Sequence, residues 1–302
     1  MSRAAWTTVI ASIIALGIVI GAVAAFVGGE EGTTSTSTPP VETRGFELPL
    51  LGEPGVLALG GHDGNLLVGI AARRGGPVEL AALRGETPVP TDELRVRVNG
   101  GKTPLVPCGR GCSRASVPVL DGRESAVTVE HGAETVAIDL PRRMPPDGAA
   151  LFERARRTMS ALDSFRYTER LSSGLGTTVR STIDVEAPDR MRLRTKGFTS
   201  VIIGKTRWDR PAGTQWERSP FPGLSVPDLL MWHAAKDPRV LRRHENGNVE
   251  LAAWANEPVP SWFRLEVEPS GRVAEAEMTA ASHFMLHRYE DFDKGVTITA
   301  PR

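Results

Sequence analysis

Few side chains in this 302-residue chain have types and spacing that could do chemistry. The two cysteines stand in one run, Cys108-Gly-Arg-Gly-Cys112. Glycines between them allow a turn that brings the Cα atoms to bridging distance. Outside a reducing compartment a disulfide is the default for such a pair. A redox pair would more typically have two intervening residues at a helix start, and a metal site would need two further ligands. His283, Met285 and His287 alternate, so on a strand they share one face. Imidazole, thioether and imidazole in a row would suit Cu(I). The same alternation gives Phe284 and Leu286 to the other face, expected to be the core side. The row then reads as the wet side of an ordinary strand, and no metal is assigned. His62-Asp63 sits among glycines and reads as an exposed turn, with His131 the other histidine of that region.

No nucleophile elbow, P-loop, His-Glu-x-x-His or dinucleotide fingerprint occurs. Asp291 and Asp293 before Gly295 echo a calcium loop without its other ligands. The expectation is a non-enzymatic protein with no cofactor. Lys and Arg number 36, as do Asp and Glu, so the formal charge is zero. No segment forms the basic arm that would hold a phosphate backbone, and nucleic acid is not an expected partner.

The elements that must carry these residues begin with an apolar run. From Ala4 to Gly29 there is no charge. A bilayer core of about 30 Å needs about 20 apolar residues in a helix. Residues 6–28 are therefore read as a single transmembrane anchor. Arg3 precedes the run and Glu30-Glu31 follow it, which places residues 1–5 in the cytoplasm and the rest outside, in the bacterial cell envelope. The rival is a cleaved signal peptide with Ala22-Val23-Ala24 as its site, although signal cores run only about 7–15 residues. Residues 29–45 contain Thr33–Pro40, almost all Thr, Ser and Pro, and read as a disordered linker.

Residues 46–143 carry short alternating runs separated by Gly, Pro and Asp clusters. Leu94, Val96 and Val98 alternate with Arg95 and Arg97, and Val136, Ile138 and Leu140 with Ala137 and Asp139. About seven such strands argue an immunoglobulin-like β-sandwich. An early exposed strand (Leu66–Ala72), Leu94-Arg-Val-Arg-Val98, the Cys108–Ala115 turn and strand, and an end in Leu140-Pro141 resemble the small sandwich domains of the CopC/YtkA group. That group belongs to bacterial copper-resistance and related membrane proteins. Its methionine-rich copper sites have no counterpart before Met144, so copper binding does not carry over.

Residues 146–302 open with a helix from an Asp147 N-cap through Leu162, with Leu151, Ala155, Met159 and Leu162 on one face. A long run of strands follows, interrupted over Pro220–Pro227 and by a short helix at Leu229–His233. Ser164-Phe-Arg-Tyr167, Ala187-Pro-Asp-Arg-Met-Arg192, Ile202-Ile-Gly-Lys-Thr-Arg-Trp208 and Ser282-His-Phe-Met-Leu-His-Arg-Tyr289 resemble LolA/LppX/LprG-like domains. The resemblance implies an α+β half-barrel wrapped around a helix, with an apolar concavity for a lipid, an acyl chain or a peptide. Its concave-face residues would be Phe165, Tyr167, Ile183, Met191, Leu193, Ile203, Trp208, Trp216, Leu265 and Phe284. The whole chain is thus expected to be mainly β and to act as a tethered binding protein. Its partners would be the membrane, a lipid or lipidated protein, and a membrane-protein partner. The alternative is an accessory or regulatory subunit of an envelope complex, in stress sensing or copper transport, with metal handling third.

Overall fold

The computed structural model describes residues 46–174, 176, 178–256 and 259–302, and these are mainly β. The expected cytoplasmic residues, anchor and linker lie outside the described residues. Among those described, no helix is long and apolar enough to cross a membrane.

Ten strands build the first half: β1 (Val56–Asp63), β2 (Leu66–Arg73), β3 (Val78–Arg84), β4 (Thr87–Pro88), β5 (Arg95–Val98), β6 (Gly101–Thr103), β7 (Leu105–Gly109), β8 (Cys112–Ala115), β9 (Ser125–His131) and β10 (Glu134–Leu140). One sheet runs β1-β2-β3-β8-β7, with β4 on β3, and the other runs β10-β9-β5-β6. Without β1, β4 and β6, the order β2-β3-β8-β7 facing β5-β9-β10 is the A-B-E-D and C-F-G order of immunoglobulin-like sandwiches. Alternation drives it: Val96, Val98, Val127, Val129, Val136 and Ile138 all turn inward. Together with Leu57, Leu59, Ile70 and Leu80 they form an all-aliphatic core.

The sequence expectation for Leu66–Ala72 is overturned. β2 is buried on both faces, because the outer face of its sheet is covered too, by Phe46, Leu48, Leu50, Leu51 and the second half of the chain. His62 is likewise not a turn residue. It belongs to β1, opposite Leu67, and the turn falls at Gly64-Asn65.

The second half begins with α1 (Ala149–Ser160) and continues through β11 (Ser164–Ser172), β12 (Thr178–Glu186), β13 (Arg190–Thr195), β14 (Phe198–Ile203), β15 (Thr206–Pro211) and β16 (Glu217–Pro220). A crossover containing α2 (Val226–Leu229) leads to β17 (Lys236–Arg243), β18 (Val249–Ala255), β19 (Ser261–Val267), β20 (Val273–Ala280) and β21 (His283–Glu290). All eleven strands form one antiparallel sheet, β16-β15-β14-β13-β12-β11-β21-β20-β19-β18-β17. Its first and last strands meet at the centre, and the edges β16 and β17 do not pair with each other. The sheet is therefore an open half-barrel.

Local chemistry differs from expectation at three points. Gly148 is the residue before α1, and Asp147 serves it from one position earlier, its Oδ1 accepting from the Ala149 N–H at 2.6 Å. Phe152 takes the fully buried place, while Leu151 packs at the core's edge, partly exposed. The short helix is Val226–Leu229, because Ser225 and Asp228 cap it there, the Asp228 Oδ2 accepting from the Ser225 N–H at 2.9 Å. Strand β17 is invisible in the sequence: it carries Pro238 and two register shifts, which an edge strand tolerates.

Trp262 is seated at the centre of the seam between the two halves, which Phe284 also joins. Gly60 and Gly69 face each other across β1 and β2. A methyl group on Gly69 would overlap the Trp262 indole, and one on Gly60 would lie 2.7 Å from its Cβ. Two glycines thus cut the notch that seats Trp262, and Phe46 stacks on it at 5.8 Å.

Candidate functional site

Alternation along the half-barrel strands fixes which residues look inward. Phe165, Tyr167, Ile183, Met191, Leu193 and Leu265 all join the concave cluster. Phe152, Ala155 and Met159 of α1 fill one part of that concavity. The crossover fills the rest with Val226, Leu229, Leu230 and Trp232. The concave face is thus occupied by the chain's own side chains.

Four sequence-assigned residues lie elsewhere. Ile202 opposes Met191 and faces in, so Ile203 faces out. Trp208 opposes Val201, on the same outer face, and Arg218 lies 5.8 Å over its ring. Trp216 precedes β16, with Arg210 4.5 Å over its ring. Phe284 packs against the sandwich, its ring 3.7 Å from His62. The cause is shared. The outward face carries apolar residues in each case, against the sandwich at Phe284 and on the open wing at Ile203, Trp208 and Trp216, so alternation alone does not say which face is the core.

The same inversion applies to the last strand. His283, Met285 and His287 do share a face, but it is the concave one, with Met285 in the core and His287 2% exposed. His287 Nε2 lies 2.9 Å from Glu169 Oε2 and Nδ1 lies 3.2 Å from the Tyr289 hydroxyl. His283 Nδ1 lies 2.9 Å from the Ala281 carbonyl oxygen. With these nitrogens engaged, the row is not a free ligand set for a soft ion.

Sequence reasoning missed the group that results. Glu169 is buried on β11 directly opposite His287 on β21. Ser181 of β12 opposes Glu169 from the other side and is also buried. Tyr167 and Tyr289 pair one step along, their rings 5.5 Å apart. Burial first, then the nearby Glu169 carboxylate, pushes the Tyr167 hydroxyl well above its ordinary pKa. Burial also raises that of Tyr289, against the effect of Trp232. Both phenols therefore remain hydrogen-bond donors. The Trp232 side chain is fully buried, and its Nε1 lies near the Tyr289 hydroxyl without closing a hydrogen bond. A buried polar group left so costs about 1–3 kcal/mol. The carboxylate–imidazole pair, the serine and the two phenols together can hold and orient a polar group.

In the sandwich, Cys108 and Cys112 form the expected disulfide, with Cα atoms 5.1 Å apart. Among the described residues, Glu79, Cys108 and Cys112 make the one group of three close enough for a metal ion. The bonded sulfurs withdraw it, and Glu79 already accepts from Arg114 and from the Leu50 N–H. A polar groove of about 690 Å³ opens between the halves, lined among others by Glu124, Asp139, Arg142, Glu250 and Arg264. It does not enter the half-barrel.

No family model matches the chain, and no curated protein does. Three solved structures are similar to about half of it. The lipoprotein LppX of Mycobacterium tuberculosis is 12% identical, covering 50% of this chain and 99% of that one, with a TM-score of 0.38. LprF of Mycobacterium bovis is 10% identical over 52% and 99%, with a TM-score of 0.39. A LolA-superfamily protein of Nitrosomonas europaea is 14% identical over 49% and 93%, with a TM-score of 0.25.

Proposed function

We propose that the half-barrel is a non-enzymatic binding element for an apolar chain, either a lipid or the acyl group of a lipidated partner, held outside the cytoplasm by an N-terminal anchor. The observation that carries this is the nature of the cover. The concavity of an unclosed sheet is filled by an irregular crossover, residues 221–235, whose largest side chain leaves its indole N–H unpaired. Leu171, Phe198, Phe221, Leu224 and Met231 pack at the margin of this cluster while still partly exposed. A greasy rim around a loosely satisfied plug is what an exchangeable cover requires. Withdrawal of Trp232, Leu229 and Leu230 would open a space lined by Tyr167, Ile183 and Leu193, with Glu169, His287 and Tyr289 available to a polar head group.

Native mass spectrometry of the full chain after mild extraction tests this. A copurifying lipid, or stoichiometric uptake of an added long-chain phospholipid, is the expected result. A chain that stays empty under saturating lipid would refute it. The anchor is tested separately by the mature N-terminus: a start near Ala25 would remove it.

A further inference from the structure

The outer face of strands β11 to β16 is a second, unassigned surface. The sandwich covers the outer face of the other wing, where Trp262 and Phe284 are buried. On β11–β16 the outward positions are instead rich in arginine. Arg166, Arg192 and Arg194 converge on Asp184, at 2.8 Å, 2.8 Å and 2.9 Å. Asp184 is fully buried beneath them. Burial alone would raise its pKa, but hydrogen bonds from Arg166 and Arg192 and the charge of Arg194 outweigh that and lower it. One carboxylate thus anchors three guanidinium groups on this face.

Further out, the charge is not matched. Arg170 and Arg180 are cross-strand partners and both are exposed. Like charges directly opposite each other destabilise a sheet. Arg210 and Arg218 are exposed and make no ion pair among the described residues, each lying instead over a tryptophan. A chain of zero net charge has therefore concentrated positive charge on one face of one wing, with Trp208 and Trp216 half-buried among it.

We infer that this face docks on an anionic phospholipid bilayer. Guanidinium groups bind phosphate with two parallel hydrogen bonds. Each basic residue near an anionic leaflet strengthens the attraction, and tryptophan prefers the head-group level. A single-stranded nucleic acid also uses arginine and aromatic rings, but it needs open ring faces for base stacking. Here arginines already lie over both indoles. Docking would set the half-barrel broadside on the lipid surface, whether or not its interior carries a ligand.

The test uses the full chain reconstituted in vesicles, labelled with a fluorophore through Thr199→Cys, between Arg194 and Arg210 on this face. A quencher carried on the lipid head group reports approach. Strong quenching is expected on phosphatidylcholine–phosphatidylglycerol vesicles, and little on phosphatidylcholine alone. The Arg210→Glu/Arg218→Glu double variant should weaken the anionic response at least about tenfold and leave the unfolding midpoint unchanged, since neither arginine satisfies a buried acid. Reversal of exposed Lys102 on the sandwich should have no effect. Equal quenching on both vesicle types, or indifference to the arginine reversal, would overturn the inference. So would tight binding of a labelled single-stranded oligonucleotide without any vesicle response.

Discussion

The two interiors of this molecule are built from different materials. Between the sandwich sheets the core is Leu, Val, Ile and Ala without a single aromatic ring. Thr103, the polar residue opposite Val96, bonds to the nearby Gly101 carbonyl oxygen. The half-barrel interior holds Phe, Tyr, Trp and Met, with a carboxylate–imidazole pair and two buried serines, Ser181 and Ser200, on the same face. An aliphatic core in settled rotamers needs nothing else to be stable. A core that buries Glu169 and His287 has accepted desolvation for something packing does not require. The contrast says which half is a frame and which half is a site.

The largest expected effect tests that contrast directly. Trp232→Ala should cost about 3–5 kcal/mol, and Leu80→Ala in the sandwich about 2–5 kcal/mol. Only the first should be rescued by added phospholipid, because only there would a cavity join an exchangeable cover. Thermal unfolding with and without lipid measures both. Equal rescue, or none, would erase the distinction between frame and site.

A smaller effect sharpens the account of the polar pair. Glu169→Gln should lose about 2–3 kcal/mol by replacing the acid that faces buried His287 with an amide. Glu169→Leu with His287→Leu should recover most of that, since a buried pair is often worth no more than apolar packing. Recovery of stability together with loss of lipid uptake would assign the pair to binding. Denaturant unfolding and native mass spectrometry read the two arms.

Each half also buries one carboxylate on its outer side, and these should respond differently. Glu79 has Arg114 and the Leu50 N–H, whereas Asp184 has three arginines. Asp184→Asn should cost about 2 kcal/mol at neutral pH, less than a fully dry pair because the arginines are partly exposed. The Asp184 pKa is lowered on folding, so its contribution is present above about pH 4 and is lost as the pH falls through the folded value. The variant's stability should therefore be flatter with pH in that acid range, read from unfolding midpoints.

The smallest effect lies at the seam. His62 keeps an exposed edge, but partial desolvation where its ring stacks on Phe284, and then Arg170, lower its pKa, opposed by Asp63. A folded pKa below the unfolded one means that its contribution is present above about pH 6.5 and is lost as the pH falls through the folded value. His62→Phe should flatten the stability profile just below that pH and leave the alkaline side unchanged.

Much of the architecture was written in local pattern. Single-face strands such as Val127–Val129 and Val136–Leu140 read correctly because one side of them is wet. The Cys108–Cys112 bridge read correctly because five residues and two glycines settle it. The site was not legible for a different reason. Glu169 and His287 stand 118 residues apart, and nothing in either segment announces that the first and last half-barrel strands pair. Periodicity does not separate Phe284, Ile203, Trp208 and Trp216 from the concave-face residues, because both sheet faces carry apolar residues. The seat of Trp262 is written as Gly60, in a run that resembles a turn, and Gly69, within a strand run.

Hydrogen exchange across residues 221–235 of the full chain, with and without a saturating long-chain phospholipid, tests the central claim most directly. Lipid should deprotect the Phe221–Ala235 amides as the cover withdraws, while β2 and β3 of the sandwich stay unchanged. Amides in that segment that remain equally protected at every lipid concentration would mean that the half-barrel interior is a closed core and no binding site at all.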